Sequence, residues 1–451
     1  MKPFPYQLES LNEIEWFRGR CLLALEQGLG KTPVSLWWLK KHPEAFPVVV
    51  VCPASVKYVW ERQARKILRI KSAVLEGRSE NGGRPARLTI INYDILRDRM
   101  RELRRLNPRT IIVDEVQSTK SGTSRRTRAV RDLCRGRPHI LALSGTPLLN
   151  RPVELFPMLN IVASQAFPGR REFQDRYCGP TWTPWGIKYD GASNTKELHD
   201  LLVDSCMIRR LKADVLKDLP DKIRTIVPMP LSDRREYEHA SEDFLDWLGK
   251  ISPEKAKRAA RAEGLTRIGH LLRLCARLKM SAMVEWIGDF LAGGEKLVVF
   301  TRHVETIGSL RERFGDRSLV IDGSVPVGKR GGIVDRFRDD NGVRLLLGNM
   351  QAAGTGIDGL QQSACHVAFA ELGWRPADHV QAEDRLHRIG VRDTVWSWWL
   401  VAKDTIESKL CKLLQVKQQV LSATLDGGTV EGDLDVYDQL VSGLFTRGRE
   451  R

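Results

Sequence analysis

"CLLALEQGLGKTPVSLWWLKK", residues 21–41, places an apolar run, a glycine-bearing turn and a helical stretch in immediate succession. The run is continuous rather than alternating, as a parallel strand covered on both faces requires. Gly28 and Gly30 let the backbone curl until successive N–H groups face a phosphate. Lys31 would then reach the β/γ oxygens and Thr32 would hold Mg²⁺. The signature is incomplete, because the full loop wants a glycine five residues before Gly30 and Leu25 stands there. Taken alone, a chance loop is the competing reading.

The same rhythm recurs outward from this stretch. "PVVVVCPAS", "LTIINYDIL", "TIIVDEVQ" and "HILALSGTP" each join a β-branched or apolar run to a helical segment, so residues 1–165 read as one α/β domain. From about residue 285 the pattern resumes with "KLVVFTRH", "RSLVIDGS", "RLLLGNMQAAGTGI", "CHVAFAE" and "TVWSWWLVA", giving a second α/β domain over 285–425. Residues 166–284 differ. "GLTRIGHLLRLCARLK" sets Leu265, Ile268, Leu272, Cys275 and Leu278 on one helical stripe, with Arg267, Arg273, Arg277 and Lys279 around it. The stripe reads as helix packing, and the cations as able to track a nucleic-acid backbone. "YCGPTWTPWGIKYDG" marks an exposed loop or short hairpin whose Trp182 and Trp185 read as packing anchors. The tail, 426–451, is acidic and then basic.

Charge and cysteine usage narrow the classes. A formal charge of +16 with a pI of about 9.6 favours a polyanion, although ribosomal or acidic-protein contacts fit the number equally well. The eight cysteines show no C-x-x-C spacing, which argues against a zinc module or disulfide framework. No apolar run reaches the length of a membrane span, and "MKPFPYQLES" lacks the order of a signal peptide. The expectation is a protein that is not secreted, with no membrane partner.

"TIIVDEVQ", residues 110–117, supplies what the glycine loop lacks. It delivers Asp114 and Glu115 to the carboxyl end of a strand, where open α/β sheets bind ligands. Asp114 would bind Mg²⁺, and Glu115 would position and polarise the attacking water. In "HVQAEDRLHRIG", residues 379–390, a helix would put Gln381, Arg385 and Arg388 on one face. A solvated helix carrying an Asp384–Arg388 pair is the plain reading. With a triphosphate site in the first domain, Arg385 and Arg388 instead read as arginine fingers.

In order, "PFPYQLESL", "EQGLGKT", "VVVVCPASVKYVW", "INYDIL", "DEVQ", "LALSGTPLLNRPVELFPML", "IRRLKADVLKDLP", "VVFTRH", "IDGSV", "GNMQAAGTGIDGLQQS" and "HVQAEDRLHRIG" resemble the motifs of helicase superfamily two. "SGTPLLNRPVELF" followed by "RRLKADVL" narrows the resemblance to the SWI/SNF-type DNA translocases, and "QAEDRLHRIG" to the small branch of annealing helicases and fork remodelers. The resemblance implies an α/β chain of two RecA-like doubly wound parallel-sheet lobes with a helical insertion between them, using ATP and Mg²⁺ on duplex DNA. It implies that Gln7 contacts the adenine edge and that Gly28, Leu29, Gly30, Lys31 and Thr32 cradle the phosphates. It gives Asp114 and Glu115 the magnesium and water roles and makes Ser144, Gly145, Thr146 and Pro147 the segment coupling nucleotide to DNA. Gly356, Asp358, Gln381, Arg385 and Arg388 would sense nucleotide from the second lobe. Departures are Leu25, Glu26 and Gln27 where Asp, Glu and Met are usual, Gln117 where His is usual, and Val391 where Gln is common. With the motor filling 451 residues, no histone reader is expected, nucleosome remodeling is disfavoured, and a cytoplasmic or nucleoid-associated protein of bacterial or phage source is the natural setting.

Overall fold

Each apolar run forms a strand, and each splits its side chains between two layers. In a computed structural model describing residues 2–79, 86–183, 186–250, 257–350, 359–429, 432–433 and 439–440, the strands in chain order are β1 (Arg20–Leu25), β2 (Val48–Cys52), β3 (Ala73–Val74), β4 (Leu88–Asn92), β5 (Thr110–Asp114) and β6 (His139–Leu143). They are followed by β7 (Thr181–Thr183), β8 (Gly186–Lys188), β9 (Gly191–Ala192), β10 (Met207–Arg210), β11 (Lys222–Met229), β12 (Leu297–Thr301), β13 (Ser318–Ile321), β14 (Leu345–Asn349), β15 (His366–Phe369), β16 (Val395–Ala402) and β17 (Gly432–Asp433).

The chain divides into two compact units, one of Met1–Leu219 with Gln419–Leu434 and one of Pro220–Gln418 with Asp435–Arg451. The first holds a parallel sheet in the order β10-β1-β6-β5-β2-β4-β3. Leu22, Ala24, Val49, Val51, Ile111 and Val113 face one core with the helices Met100–Arg105, Arg125–Cys134 and Phe156–Val162. Their neighbours Leu23, Leu25, Val48, Val50 and Ile112 face the other with the helices Lys31–Lys41 and Lys57–Leu68. Period-two alternation therefore spends a continuous apolar strand on two cores at once. Because the strands are parallel and in register, Leu25, Asp114 and Leu143 end at one edge of the sheet.

The second unit is built alike, a parallel sheet in the order β11-β16-β15-β12-β14-β13. The stretch 166–284 thus lends a strand to each sheet, β10 to the first and β11 to the second, as well as the helices Arg234–Lys250 and Lys257–Leu278. No described helix is long and apolar enough to cross a membrane.

Four local expectations are corrected. The helix expected through 379–390 ends at Glu383, so Gln381 sits on its last turn while Arg385 and Arg388 follow in successive turns and share no helical face with it. The end of the helix is tied to distant partners. Buried Glu383 is gripped by Arg224 of β11 through two hydrogen bonds of 2.8 and 2.7 Å, and Asp384 faces Lys222 at 3.4 Å. On the stripe of Lys257–Leu278, Ile268, Leu272, Cys275 and Leu278 are buried, but Leu265 is 41% exposed and Leu271 takes its place. Lys279 is no surface cation. It is fully buried, with its ammonium on both oxygens of Glu407 at 2.9 and 2.7 Å and on the Leu400 carbonyl. Finally, β7 and β8 form the expected hairpin, yet Trp182 is 81% exposed and anchors nothing, while Trp185 lies outside the described residues.

Candidate functional site

The chain leaves β1 at Leu25 and turns through Gly28 and Gly30, both in the left-handed region at φ 89° and 85°, before the helix Lys31–Lys41 begins. Only glycine enters that region without strain, and a Cβ on Gly30 would lie 2.6 Å from the Gln7 amide nitrogen. The loop is clamped from the helix Pro5–Trp16. The Tyr6 hydroxyl and the Gln7 amide both donate to the Leu29 carbonyl, at 3.1 and 3.0 Å, while the Phe4 N–H donates back to Gln7 Oε1 at 2.9 Å. Gln7 therefore holds the loop's shape. Lys31 is folded into the loop, donating to the Leu25 carbonyl at 3.0 Å, and Thr32 is half-buried on the first turn of the helix.

Asp114 closes β5 beside this loop. Its Oδ2 accepts from the Trp60 indole at 2.8 Å and its Oδ1 from the Glu115 N–H at 3.0 Å, while the Tyr93 hydroxyl donates to its carbonyl at 2.6 Å. Burial, and next the Glu115 carboxylate, push the Asp114 carboxyl up to about 6, against the pull of the Trp60 hydrogen bond and the Lys31 charge. Glu115 itself takes φ 52°, an uncommon backbone for a residue with a Cβ.

Gln117 joins two sequence motifs. Its amide nitrogen donates to Glu115 Oε2, and its Oε1 accepts from the Ser144 hydroxyl at 2.7 Å. Ser144, fully buried, in turn accepts from the Thr146 N–H at 3.1 Å. Gly145 passes so close to Gln27 that a Cβ would meet its side chain at 2.8 Å, and Gln27 reaches Glu115 at 3.5 Å. Pro147 is buried behind them. Glu26 accepts from the Lys212 N–H at 2.5 Å, and Arg209 donates to the Ala24 carbonyl at 2.9 Å, so the strand after β9 braces the loop from the side.

The structure thus brings Gln7, Gly28, Leu29, Gly30, Lys31, Thr32, Asp114, Glu115 and Ser144–Pro147 to one end of the first sheet. In the second unit, Gln381, Arg385 and Arg388 are all half-buried, while Gly356 and Asp358 lie outside the described residues. Burial alone would raise Glu383, but Lys222 and Arg224 more than offset it and hold the carboxyl at about 2. Sequence reasoning missed Tyr6, Gln27, Trp60, Tyr93 and Arg209. Trp60 falls inside a motif of the resemblance, but no spacing rule points its indole at Asp114.

The donor set fits a magnesium nucleotide. The glycine loop leaves a cradle that a Cβ at Gly30 would fill, an ammonium lies inside it, and the raised Asp114 is a carboxyl short of positive charge.

Residues 6–280 match the SNF2-related domain and residues 279–390 the helicase conserved C-terminal domain. The chain belongs to the SNF2-related family. This SNF2-related chain is 33% identical over 434 residues to the SWI/SNF-related matrix-associated actin-dependent regulator of chromatin subfamily A-like protein 1 homolog of Caenorhabditis elegans, covering 93% of this chain and 61% of that protein. It is 32% identical over 461 residues to the DNA annealing helicase and endonuclease ZRANB3 of Bos taurus, covering 97% of this chain and 42% of that protein. The chain spans about half the length of the curated relatives it matches. Among solved structures, the Sulfolobus solfataricus SWI2/SNF2 ATPase core in complex with dsDNA aligns over 100% of this chain at 22% identity and a TM-score of 0.45.

Proposed function

We propose that the protein is an ATP-dependent duplex-DNA translocase that couples ATP hydrolysis to tracking along DNA, with remodeling of forks or annealing of strands as its output. The observation that supports this most is the hydrogen-bonded chain from Glu115 through Gln117 to Ser144, because it ties the water-positioning acid to the segment expected to couple with DNA. Bound ATP with Mg²⁺ supplies the phosphoryl group and the charge that accepts these ligands. Lys31 and the loop N–H groups hold the phosphates, Thr32 and Asp114 hold the metal, and Glu115 orients water for in-line attack. Gln7, which keeps the loop curled, is assigned to the adenine edge. Gln381, Arg385 and Arg388 are assigned to sensing and stabilising the phosphates from the second unit, together with Gly356 and Asp358. The domain division proposed with this reading is an ATP-binding lobe over 1–165, a protrusion region over 166–284, a C-terminal lobe over 285–425 and a tail. The working setting is the cytoplasm or nucleoid.

Strand separation is the second reading, favoured by the β7–β8 hairpin. Three residues long on each side, the hairpin carries an 81% exposed tryptophan and is tied down at its base by the Tyr189 hydroxyl on Asp175 and the Gly179 N–H on Ser193. An exposed aromatic can stack on an unpaired base. Triplex displacement measured beside fluorophore-quencher duplex unwinding separates the two. Displacement without unwinding supports the translocase. Efficient unwinding that Trp182→Ala abolishes overturns it in favour of the helicase.

A further inference from the structure

The turns that carry Arg385 and Arg388 are fastened to a strand from the stretch 166–284. Glu383 closes the helix Pro376–Glu383 fully buried, and each of its carboxylate oxygens meets two partners. Oε1 accepts from the Arg224 Nε and from the Ser397 hydroxyl, each at 2.8 Å. Oε2 accepts from the Arg224 guanidinium at 2.7 Å and faces the Lys222 ammonium at 3.1 Å. Lys222 also reaches Asp384 at 3.4 Å. The Glu383 carbonyl then accepts the N–H groups of Leu386 and His387, at 3.0 and 2.9 Å. The residue held on β11 by its side chain thus shapes the Arg385 turn by its backbone. Beyond that turn the His387 Nε2 donates to the Pro220 carbonyl at 2.9 Å, and the Val391 N–H closes the next turn on the Arg388 carbonyl at 3.0 Å. Leu386 is fully buried between them. Pro220, Lys222 and Arg224 stand at the opening of the second unit.

The strand does not need these ion pairs to stay on its sheet. It pairs in register with β16 along its whole length, from Lys222 on Val395 to Met229 on Ala402. What the ion pairs add is a tie from the strand to the turn. A buried ion pair is also a poor source of stability, because desolvating the charges offsets most of their attraction, and its attested use is to fix one arrangement. We propose that Lys222 and Arg224 are positioning residues for Arg385 and Arg388, setting where those two guanidiniums are presented by holding Glu383 and Asp384. The proposal rests on the reading of Arg385 and Arg388 as phosphate-stabilising residues. It goes beyond that reading by giving a part in hydrolysis to two cations that charge alone would assign to DNA phosphates. Arg224 grips Glu383 through two parallel hydrogen bonds, a fork that an ammonium cannot reproduce. Such placement is costly to lose. A misplacement of about 1 Å in a catalytic arrangement can cost about a hundredfold in rate, and arginine fingers in other systems contribute about 10³–10⁵.

The test is a variant cycle on the full chain, reading ATP hydrolysis at saturating duplex DNA as kcat and KM separately, from released radiolabelled phosphate. One arm is Arg224→Gln, the other is Arg385→Ala with Arg388→Ala, and the third joins all three changes. Arg224→Lys keeps a charge on the buried carboxylate and so keeps the fold. Expected is a kcat at least about tenfold lower in Arg224→Gln, with KM for ATP and nucleotide-free duplex affinity within about threefold of wild type. Arg224→Lys, which lacks the fork, should fall between that variant and wild type. Without Arg385 and Arg388, the Arg224→Gln change should cost less than about twofold more, because an absent guanidinium cannot be misplaced. Equal losses in both backgrounds mark a merely structural role and overturn the proposal. So does a wild-type kcat in Arg224→Gln, or a loss that falls wholly on KM or on duplex affinity. If Arg224→Gln does not fold, the same cycle is read with Arg224→Lys, where a loss of about threefold that vanishes without Arg385 and Arg388 is expected and its absence overturns the proposal. Wild-type turnover in Arg385→Ala with Arg388→Ala removes the reading of those arginines and the proposal with it. Slow turnover there beside a wild-type kcat in Arg224→Gln overturns the positioning alone.

Discussion

Replacing Gln117 by alanine should weaken the first unit and loosen hydrolysis from DNA together. The side chain makes one hydrogen bond to a carboxylate and one to a hydroxyl, at Glu115 and Ser144, and both it and Ser144 are sealed from solvent. A bond to a charged group contributes about 1.5–3 kcal/mol and a neutral one about 1 kcal/mol. Ser144 would keep only the Thr146 N–H as a partner, leaving its hydroxyl proton unsatisfied. The expected cost is therefore about 2–4 kcal/mol of unfolding free energy, read as a lower urea midpoint at unchanged slope. Glu115 loses the amide that aims it, so basal turnover should fall about tenfold, the equivalent of ~1.4 kcal/mol in the barrier. The factor by which duplex DNA accelerates hydrolysis should fall too. Gln117→His, which restores a ring nitrogen between the same two partners, should recover most of that factor. A Gln117→Ala protein with wild-type midpoint and wild-type DNA stimulation would refute the bridge.

Two further outcomes follow from buried charge. Asp114 is raised to about 6 from an ordinary 3.8, so its folded form holds the proton the tighter. That contribution is full below the unfolded value and is lost as pH rises through 6, leaving the ionised carboxylate to cost roughly 3 kcal/mol at neutral pH. Mg²⁺ should accordingly raise the melting temperature more at about pH 7.5 than at about pH 5, and an equal shift at both would contradict the assignment of Asp114. In the second unit, Lys279→Ala should cost about 3–5 kcal/mol by stranding Glu407, whereas Lys279→Met with Glu407→Leu should be close to neutral. Denaturant melts of the single and double variants check this, and equal losses in both would mean the pair is not what matters there.

The sheets were legible because their strands are continuous apolar runs, as in "VVVVC" and "TIIVD" of the first sheet and "LVVFT" of the second. The glycine loop and the acids after β5 were legible because phosphate binding and metal binding restrict which residue types can stand there. What was not legible is set by distant partners. Glu383, at the end of its helix, is held by Arg224, 159 residues upstream, and a local reading of Gln381, Arg385 and Arg388 has no access to that contact. Lys279 looked like one more cation on a basic helix until Glu407, 128 residues away, met it in the core. Trp60 and Tyr93, which fix Asp114, are ordinary apolar positions by sequence. Gln117 was visible only as a departure from a usual histidine, and its hydrogen bonds explain why an amide can serve.

The central claim is that this loop and these acids hydrolyse ATP in response to duplex DNA. Steady-state hydrolysis by the wild type and by Lys31→Ala, with no nucleic acid, single-stranded DNA, duplex DNA and duplex RNA at two salt concentrations, tests it most directly. The account predicts strong stimulation of the wild type by duplex DNA, fading with salt, and none in Lys31→Ala despite retained DNA binding. Hydrolysis that survives in Lys31→Ala, or that responds only to single strands or RNA, would contradict it.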